Sequence, residues 1–390
     1  MKIVAFVSTL DLRFRLGCVP AWWQLLKAIN EIGNEVVVVP YLGREIETPW
    51  WRSYPNPWRL PGETYHVLAR RVFPKRTKER SILREGFVRL ATRSLTLPVW
   101  KRHLTKILKE EKDVDAAVFL GIPLNQITGI PEEMKREFGI KTVFCDGDMP
   151  TILPEHGLNR GFMFDYYHEA NLQEYDLFLV NSEGVIRDLE KRGARKVRTL
   201  HYAADPGLFK PLPIRKDFDV AFFGYGSQTR EKWLTRMIAE PSVRMPNKFA
   251  VGGGDFAIPL GRAEYVGDIP MSTFRQFCCS SRINLNIARD SFASIYASST
   301  ARPFELAAMG CCIVSCPYNG LEKWFTPGRE IIILSDDEDI CGLYEHLLSD
   351  ESERLRIGQA ARERVLKDHT YQNRAQEVIE HISEIKSAAD

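Results

Sequence analysis

Short apolar runs of Val, Ile, Leu and Phe recur along the chain, separated by stretches with helical spacing. In the first half the runs Ile3–Val7, Val36–Pro40, Ala116–Leu120, Thr142–Cys145, Leu177–Val180 and Val197–Leu200 read as strands. In the second half the same reading falls on Val220–Phe223, Phe249–Val251, Glu264–Val266, Ile283–Ile287, Cys312–Ser315 and Ile331–Leu334. The runs show little alternation of polar and apolar positions, the pattern of strands buried on both faces. Helices fit between them at Ala21–Ile32, Val185–Arg192 and Phe304–Met309, each followed by glycine (Gly33, Gly193, Gly310), the expected residue past a last helical turn. Alternating β and α elements predict parallel sheets with right-handed crossovers.

The series occurs twice, with a seam at Ala203–Asp219 that carries Pro206, Gly207, Pro211 and Pro213. Such a stretch suits a short, stiff connection between domains. The expectation is two doubly wound α/β domains with a shared ligand site beyond the carboxyl ends of their strands.

Composition narrows the class. A chain of 390 residues with 44% hydrophobic and 27% charged residues is neither disordered nor membrane-spanning in character. The start, MKIVAFVSTLDLR, turns polar after Val7, so it reads as a first strand and not as a secretory leader. Eight cysteines form no CxxC pair, and their apolar settings (VFCDG, MGCCIVSC) predict reduced core thiols in a cytoplasmic protein. Two segments interrupt the pattern. Thr48–Pro61 holds Trp50, Trp51 and Trp58 among prolines and reads as a loop. Residues 68–112 carry fourteen Lys and Arg against four Glu, in a chain whose net charge is only +2. That segment reads either as a solvated helical face or as a patch for an anionic membrane or a phosphorylated acceptor.

Three turns of the second half have the chemistry of a phosphate site. In STARPFELAAMG, Ser298, Ser299 and Thr300 precede a helix whose free first-turn N–H groups and dipole favour an anion. Arg302 adds a guanidinium fork, and Glu305 lies one turn further in, where a carboxylate can accept from ribose hydroxyls. In DVAFFGYGSQTREKW, a strand runs into Gly224 and Gly226, followed by Arg230 and Lys232 as candidate cations for a diphosphate. A further turn holds Gly253. Each has a plain alternative: a capped helix, or a turn that needs glycine simply to bend. In the first half, Asp146 and Asp148 in FCDGDMP, with His156 beyond, follow a strand end and are candidates for contact with a transferring sugar or acceptor. The Asp-x-Asp spacing also occurs at Asp113/Asp115, Asp217/Asp219 and Asp337/Asp339, so it is not read as a metal site.

The second half resembles the retaining glycosyltransferases of GT-B architecture, of the family-4 (group 1) type, nearest the CgeB-like branch. The resemblance runs in chain order through DLFLVNSEGVIRDLEKRGARKVRTLHYAADPGLFKP, FFGYGSQTRE, SSRINLNIARD, ARPFELAAMGCCIVSCPYNGLEKWFTPGREIIIL and DHTYQNRAQEVIEHI. In the first half it extends only to the first strand, Gly17 and the helix AWWQLLKAINEIGNEVVVV. It implies a GT-B fold of two Rossmann-like domains facing across a cleft: an acceptor-side domain over 1–205, a donor domain over 206–369 and a closing helix over 370–390. It implies that Glu305 binds the ribose and that Ser298, Ser299, Thr300 and Arg302 hold the diphosphate and sugar. Arg230, or Lys232 in its stead, is the diphosphate cation, and Gly17 lets the first loop approach the phosphate. The family pattern places a second Glu eight residues before Glu305, where this chain has Ala297.

The implied activity is transfer of a sugar from a nucleoside diphosphate sugar to an acceptor hydroxyl with retention, using Arg230 and Arg302 in place of a metal and no cofactor beyond the donor. Asp146 and Asp148 would approach the sugar. The acceptor is left open among a glycan, a lipid-linked or a small-molecule hydroxyl, with peripheral membrane contact through 68–112; nucleic acid is not expected. The alternatives are a nucleotide-sugar epimerase or hydrolase on the same frame, and a non-catalytic nucleotide-sugar binder.

Overall fold

The computed structural model describes residues 1–10, 20–59, 90, 92–156, 166–226 and 228–387. The chain divides into two units. The first comprises Met1–Leu12, Leu25–Leu200 and Ala375–Asp390, and the second Arg13–Gln24 and His201–Arg374.

In the first unit the strands are β1 (Lys2–Thr9), β2 (Glu35–Leu42), β3 (Arg52–Ser53), β4 (Ala116–Leu120), β5 (Lys141–Asp146), β6 (Leu177–Val180) and β7 (Val197–Thr199). They form one sheet in the order β3-β2-β1-β4-β5-β6-β7, with every pair parallel. Helices α1 (Ala21–Glu31), α2 (Leu97–Glu111), α3 (Ile130–Phe138) and α4 (Ile186–Lys191) make the crossovers. All five residues of β4 and all four of β6 are buried, as expected of strands covered on both faces. The tryptophan-rich loop does more than connect. Trp51 is buried, its Nε1 donates to Ile46 O at 3.0 Å, and the chain then adds β3 at the sheet edge, a strand too short for an apolar run to announce.

The second unit repeats the plan with β8 (Phe218–Tyr225), β9 (Phe249–Gly254), β10 (Glu264–Gly267), β11 (Ser281–Asn286), β12 (Cys312–Ser315) and β13 (Ile332–Ile333). Its all-parallel order is β10-β9-β8-β11-β12-β13. The helices are α5 (Glu231–Leu234), α6 (Glu240–Arg244), α7 (Met271–Cys279), α8 (Asp290–Ser294), α9 (Ala301–Ala308), α10 (Ile340–Ser349) and α11 (Glu351–Asp368). The last helix, α12 (Tyr371–Ser387), starts in this unit and continues in the first, where Lys386 pairs with Asp115 and Lys196 reaches Glu384 at 3.0 Å. Both sheets are therefore Rossmann-like. Strand order reverses between β1 and β4 in one and between β8 and β11 in the other, and such a reversal opens a crevice at the strand ends.

Seven cysteines are free and buried, and Cys18 lies outside the described residues. Among the described residues no helix is long and apolar enough to cross a membrane. Of the basic segment, 68–89 and 91 lie outside the described residues; the rest includes α2, which exposes Arg102, Lys106 and Lys109.

Candidate functional site

The three glycines of the second unit are fixed by packing. Gly224 and Gly253 are partners in the β8–β9 register, and a Cβ on Gly253, whose φ is +112°, would stand 1.8 Å from Gly224 O. A Cβ on Gly226 would meet Phe256 at 2.3 Å, and the Gly226 N–H already donates to Gly254 O at 2.8 Å. Glycine here lets two backbones close on each other, and the Gly226 amide is committed within the sheet.

The charge lies in side chains at the β8–β11 crossover. Arg230 follows β8 and ties the two strand ends together. Its Nε donates to Ile287 O at 2.8 Å and its Nη1 to Tyr225 O at 2.7 Å. Burial, and then the repulsion of Arg289 and Arg302, push its pKa down to about 9. Arg302, in the first turn of α9, lies over the rings of Phe223 at 4.9 Å and Phe274 at 4.3 Å, and its Nη1 donates to Glu305 Oε2 at 2.8 Å. Arg230 thus feels two further guanidinium groups, with the carboxylates of Glu305 on Arg302 and of Asp290 nearby, a local excess of positive charge that an anion would relieve.

Glu305 is wholly buried. One oxygen is taken by Arg302, while Oε1 has no partner among the described residues. Burial raises its pKa, and Arg302 opposes the rise. Ser298 and Ser299 are also sealed. Ser298 Oγ donates to Ile295 O at 2.9 Å, and Ser299 Oγ accepts from Tyr202 N at 2.9 Å. Thr300 occupies the N-cap of α9 with extended dihedrals but makes no side-chain cap, so its hydroxyl is not committed to the helix end. Lys232 points to the surface, where Nζ pairs with Asp336 at 2.6 Å. Ala297 has φ +47° and is fully buried, and a Cβ on Gly320 would meet its N at 2.4 Å. The position that holds a carboxylate in the resembling family is here a closed packing point.

The sequence reading assigned Arg230 and Arg302 but passed over Arg289. It stands just beyond the end of β11, as Arg230 stands beyond β8, so the signal was available: a basic residue closing a buried strand in the run SSRINLNIARD. Gly17 lies outside the described residues.

In the first unit, Asp146 ends β5. It is buried, its Oδ1 accepting from Asp148 N and its Oδ2 from Tyr167 Oη, both at 2.8 Å. Burial, reinforced by the charge of Asp148, pushes its pKa up to about 6. Asn181 fixes the following turn by accepting from Met149 N at 3.1 Å and donating to Met149 O at 3.0 Å. Asp148 itself is exposed, and His156 Nε2 sits 3.2 Å from Asp188 Oδ2. Among the described residues no cluster of three or more His, Cys, Asp or Glu could hold a metal ion.

Residues 227–380 match a family model described as glycosyl transferase-like. No curated protein sequence matches the chain. Solved structures do. A sucrose-phosphate synthase from Thermosynechococcus elongatus is 12% identical, with all of both chains covered and a TM-score of 0.65. Anabaena Alr3699/HepE in complex with UDP and glucose is 11% identical, covering 97% of this chain and 99% of its own, at 0.61. A glycosyltransferase from Rickettsia africae ESF-5 is 10% identical, covering 98% of each chain, at 0.59. The second unit therefore carries a glycosyl transferase-like domain, and the chain has the two-Rossmann-sheet fold of the GT-B glycosyltransferase structures.

Proposed function

We propose that the chain moves a sugar from a nucleoside diphosphate sugar to an acceptor hydroxyl with retention of configuration, as a member nearest the CgeB-like branch. The observation that carries the reading is the group Arg230, Arg289 and Arg302 at the β8–β11 crossover, where burial first, and then the charges of Arg289 and Arg302, depress the pKa of Arg230. A departing diphosphate develops negative charge as the anomeric C–O bond breaks, and preorganised cations stabilise it without reorganisation. The acceptor oxygen forms the new bond to the anomeric carbon, and its proton passes to the leaving phosphate oxygen. On this reading the guanidinium groups do the work for which other transferases use a metal. Glu305 is the ribose acceptor through its unpartnered Oε1. That oxygen has no solvent contact, so the side chains around it must shift to admit a hydroxyl.

Residues 206–369 are the donor side and residues 1–205 the acceptor side, with Asp146 as the carboxyl that meets the sugar or acceptor. The exposed Arg102, Lys106 and Lys109, with exposed Leu90 and Leu95, support contact of the first unit with an anionic membrane.

The test is a thermal-shift and calorimetric screen of UDP, GDP, TDP, ADP and their sugars, since a ligand of the folded state raises its stability by mass action. One nucleoside diphosphate is expected to raise the melting temperature well above the others. No response to any of them would remove the reading. Incubation of the bound donor without acceptor should leave it intact; epimerised or hydrolysed donor would favour the epimerase or hydrolase alternative.

A further inference from the structure

The three guanidinium groups are not equally free. Arg230 spends Nε and Nη1 on the carbonyls of Ile287 and Tyr225, so it is a brace between the ends of β11 and β8. Arg302 is gripped by Glu305 and stacked against two phenylalanine rings, with its side chain only 19% exposed. Arg289 is different. It precedes α8 with extended dihedrals and is half-buried, and among the described residues its side chain makes no ion pair or hydrogen bond. It stands two residues beyond the Ile287 carbonyl that Arg230 holds. Its chain neighbour Asp290 is exposed and forms no ion pair among the described residues.

We infer that Arg289 is the guanidinium that binds the diphosphate directly, and that Arg230 is a positioning residue whose brace on the two strand ends sets where Arg289 stands. This rests on reading the unit as a nucleoside diphosphate site. The physical reason is economy of donors. Arg230 has already committed two of its N–H directions to backbone carbonyls, whereas Arg289 keeps its whole fork, the geometry that binds phosphate in bidentate fashion. Arg289 and Arg230 repel each other, and a dianion bound between them turns that repulsion into attraction.

The experiment uses the full chain as wild type, Arg289→Gln, Arg289→Lys and Arg230→Gln. Calorimetry measures the affinity for UDP, GDP, TDP and ADP and for the matching monophosphates, and melting is followed without ligand. For the diphosphate that wild type binds, Arg289→Gln is expected to lose about 10- to 100-fold in affinity, the value of charged hydrogen bonds. Its monophosphate affinity should change by less than about 3-fold and its unliganded melting by about 1 °C or less, because among the described residues no group hydrogen-bonds or ion-pairs with that side chain. Arg289→Lys should recover part of the loss, as a point charge without the fork. Arg230→Gln should instead lower the unliganded melting temperature, having left two strand-end carbonyls without their donor. If Arg289→Gln binds the diphosphate within about 2-fold of wild type, or loses monophosphate equally, the assignment of Arg289 fails while the reading of the site stands. If wild type binds none of the four diphosphates, the reading of the site fails, and the assignment with it.

Discussion

Asp146 offers a stability experiment whose sign runs against intuition for a carboxylate. It is 5% exposed, accepts hydrogen bonds from a tyrosine and an amide, and has no cation beside it among the described residues. Burial pushes its pKa up to about 6, above the 3.8 of an ordinary aspartate. Between those values the folded state holds a proton that the unfolded state releases. Stability from this group is therefore fully present at low pH and is lost as pH rises through 6. The whole span is about 3 kcal/mol, and the part between pH 5 and pH 8 is about 1 kcal/mol. Asp146→Asn removes the titration while keeping the shape. The Asn oxygen can accept from Asp148 N, and its amide can donate to Tyr167 Oη if that hydroxyl turns its own hydrogen away. The assay is denaturant unfolding of wild type and variant at pH 5 and pH 8. Relative to wild type, the variant should gain about 1 kcal/mol between the two, or about 2–4 °C in the melting of the first unit. Parallel wild-type and variant profiles across that range would refute the reasoning, because they would mean that Asp146 titrates at an ordinary value or is charged in both states.

Two further outcomes follow from the second unit. Gly253→Ala should cost about 3 kcal/mol or more, from a positive φ and a Cβ against a carbonyl of the neighbouring strand, and lower that unit's melting by several degrees; a melting temperature unchanged from wild type would show that β8 and β9 can part without penalty. His369 has its pKa pushed down to about 4 by burial, with Arg374 adding repulsion. Since a guanidinium only donates, the 2.8 Å contact with Arg374 Nη2 makes Nδ1 the acceptor and places the proton on Nε2, facing Trp324 O at 3.2 Å. A lowered histidine pKa means that the unfolded state binds the proton more tightly, so the second unit should lose up to about 3 kcal/mol as pH falls from 6.5 to 4, read as acid-side unfolding that His369→Gln blunts.

Much of this fold is legible in the chain because parallel strands covered on both faces must be apolar throughout. Ala116–Leu120, Leu177–Val180 and Cys312–Ser315 are readable to the residue for that reason. The strand Arg52–Ser53 is not, because an exposed two-residue edge needs no apolar side chain. Helix α11 escapes for a related reason: it buries Ile357, Ala361 and Val365 but exposes Leu355, so the apolar stripe is blurred. At the site, sequence placed Glu305 and Arg302 one turn apart on a helix, as they are. It could not show that Phe223, from near the end of β8, and Phe274, from α7, flank the guanidinium that grips the acid. Arg289 went unremarked because a single basic residue after a strand has no local pattern; only the company of Arg230 and Arg302 gives it meaning.

That company also explains a departure in how the phosphate would be held. In many Rossmann sites a glycine turn offers its backbone N–H groups to the phosphate. Here the turn after β8 has the glycines, but Gly226 N is committed to Gly254 O and Gly253 closes against Gly224 O. Their conformational freedom goes into letting β8 and β9 approach at their carboxyl ends. A site with fewer free amides must draw its positive potential from side chains, and three arginines from three separate segments supply it. Arg230 bears the cost of this arrangement: burial, and after it the charges of Arg289 and Arg302, lower its pKa. The hydrogen bonds that Arg230 makes to Tyr225 and Ile287 are what hold it in place against that repulsion. The same bonds join the two strands where their order reverses, so the brace that keeps the charge in position also keeps the crevice in shape.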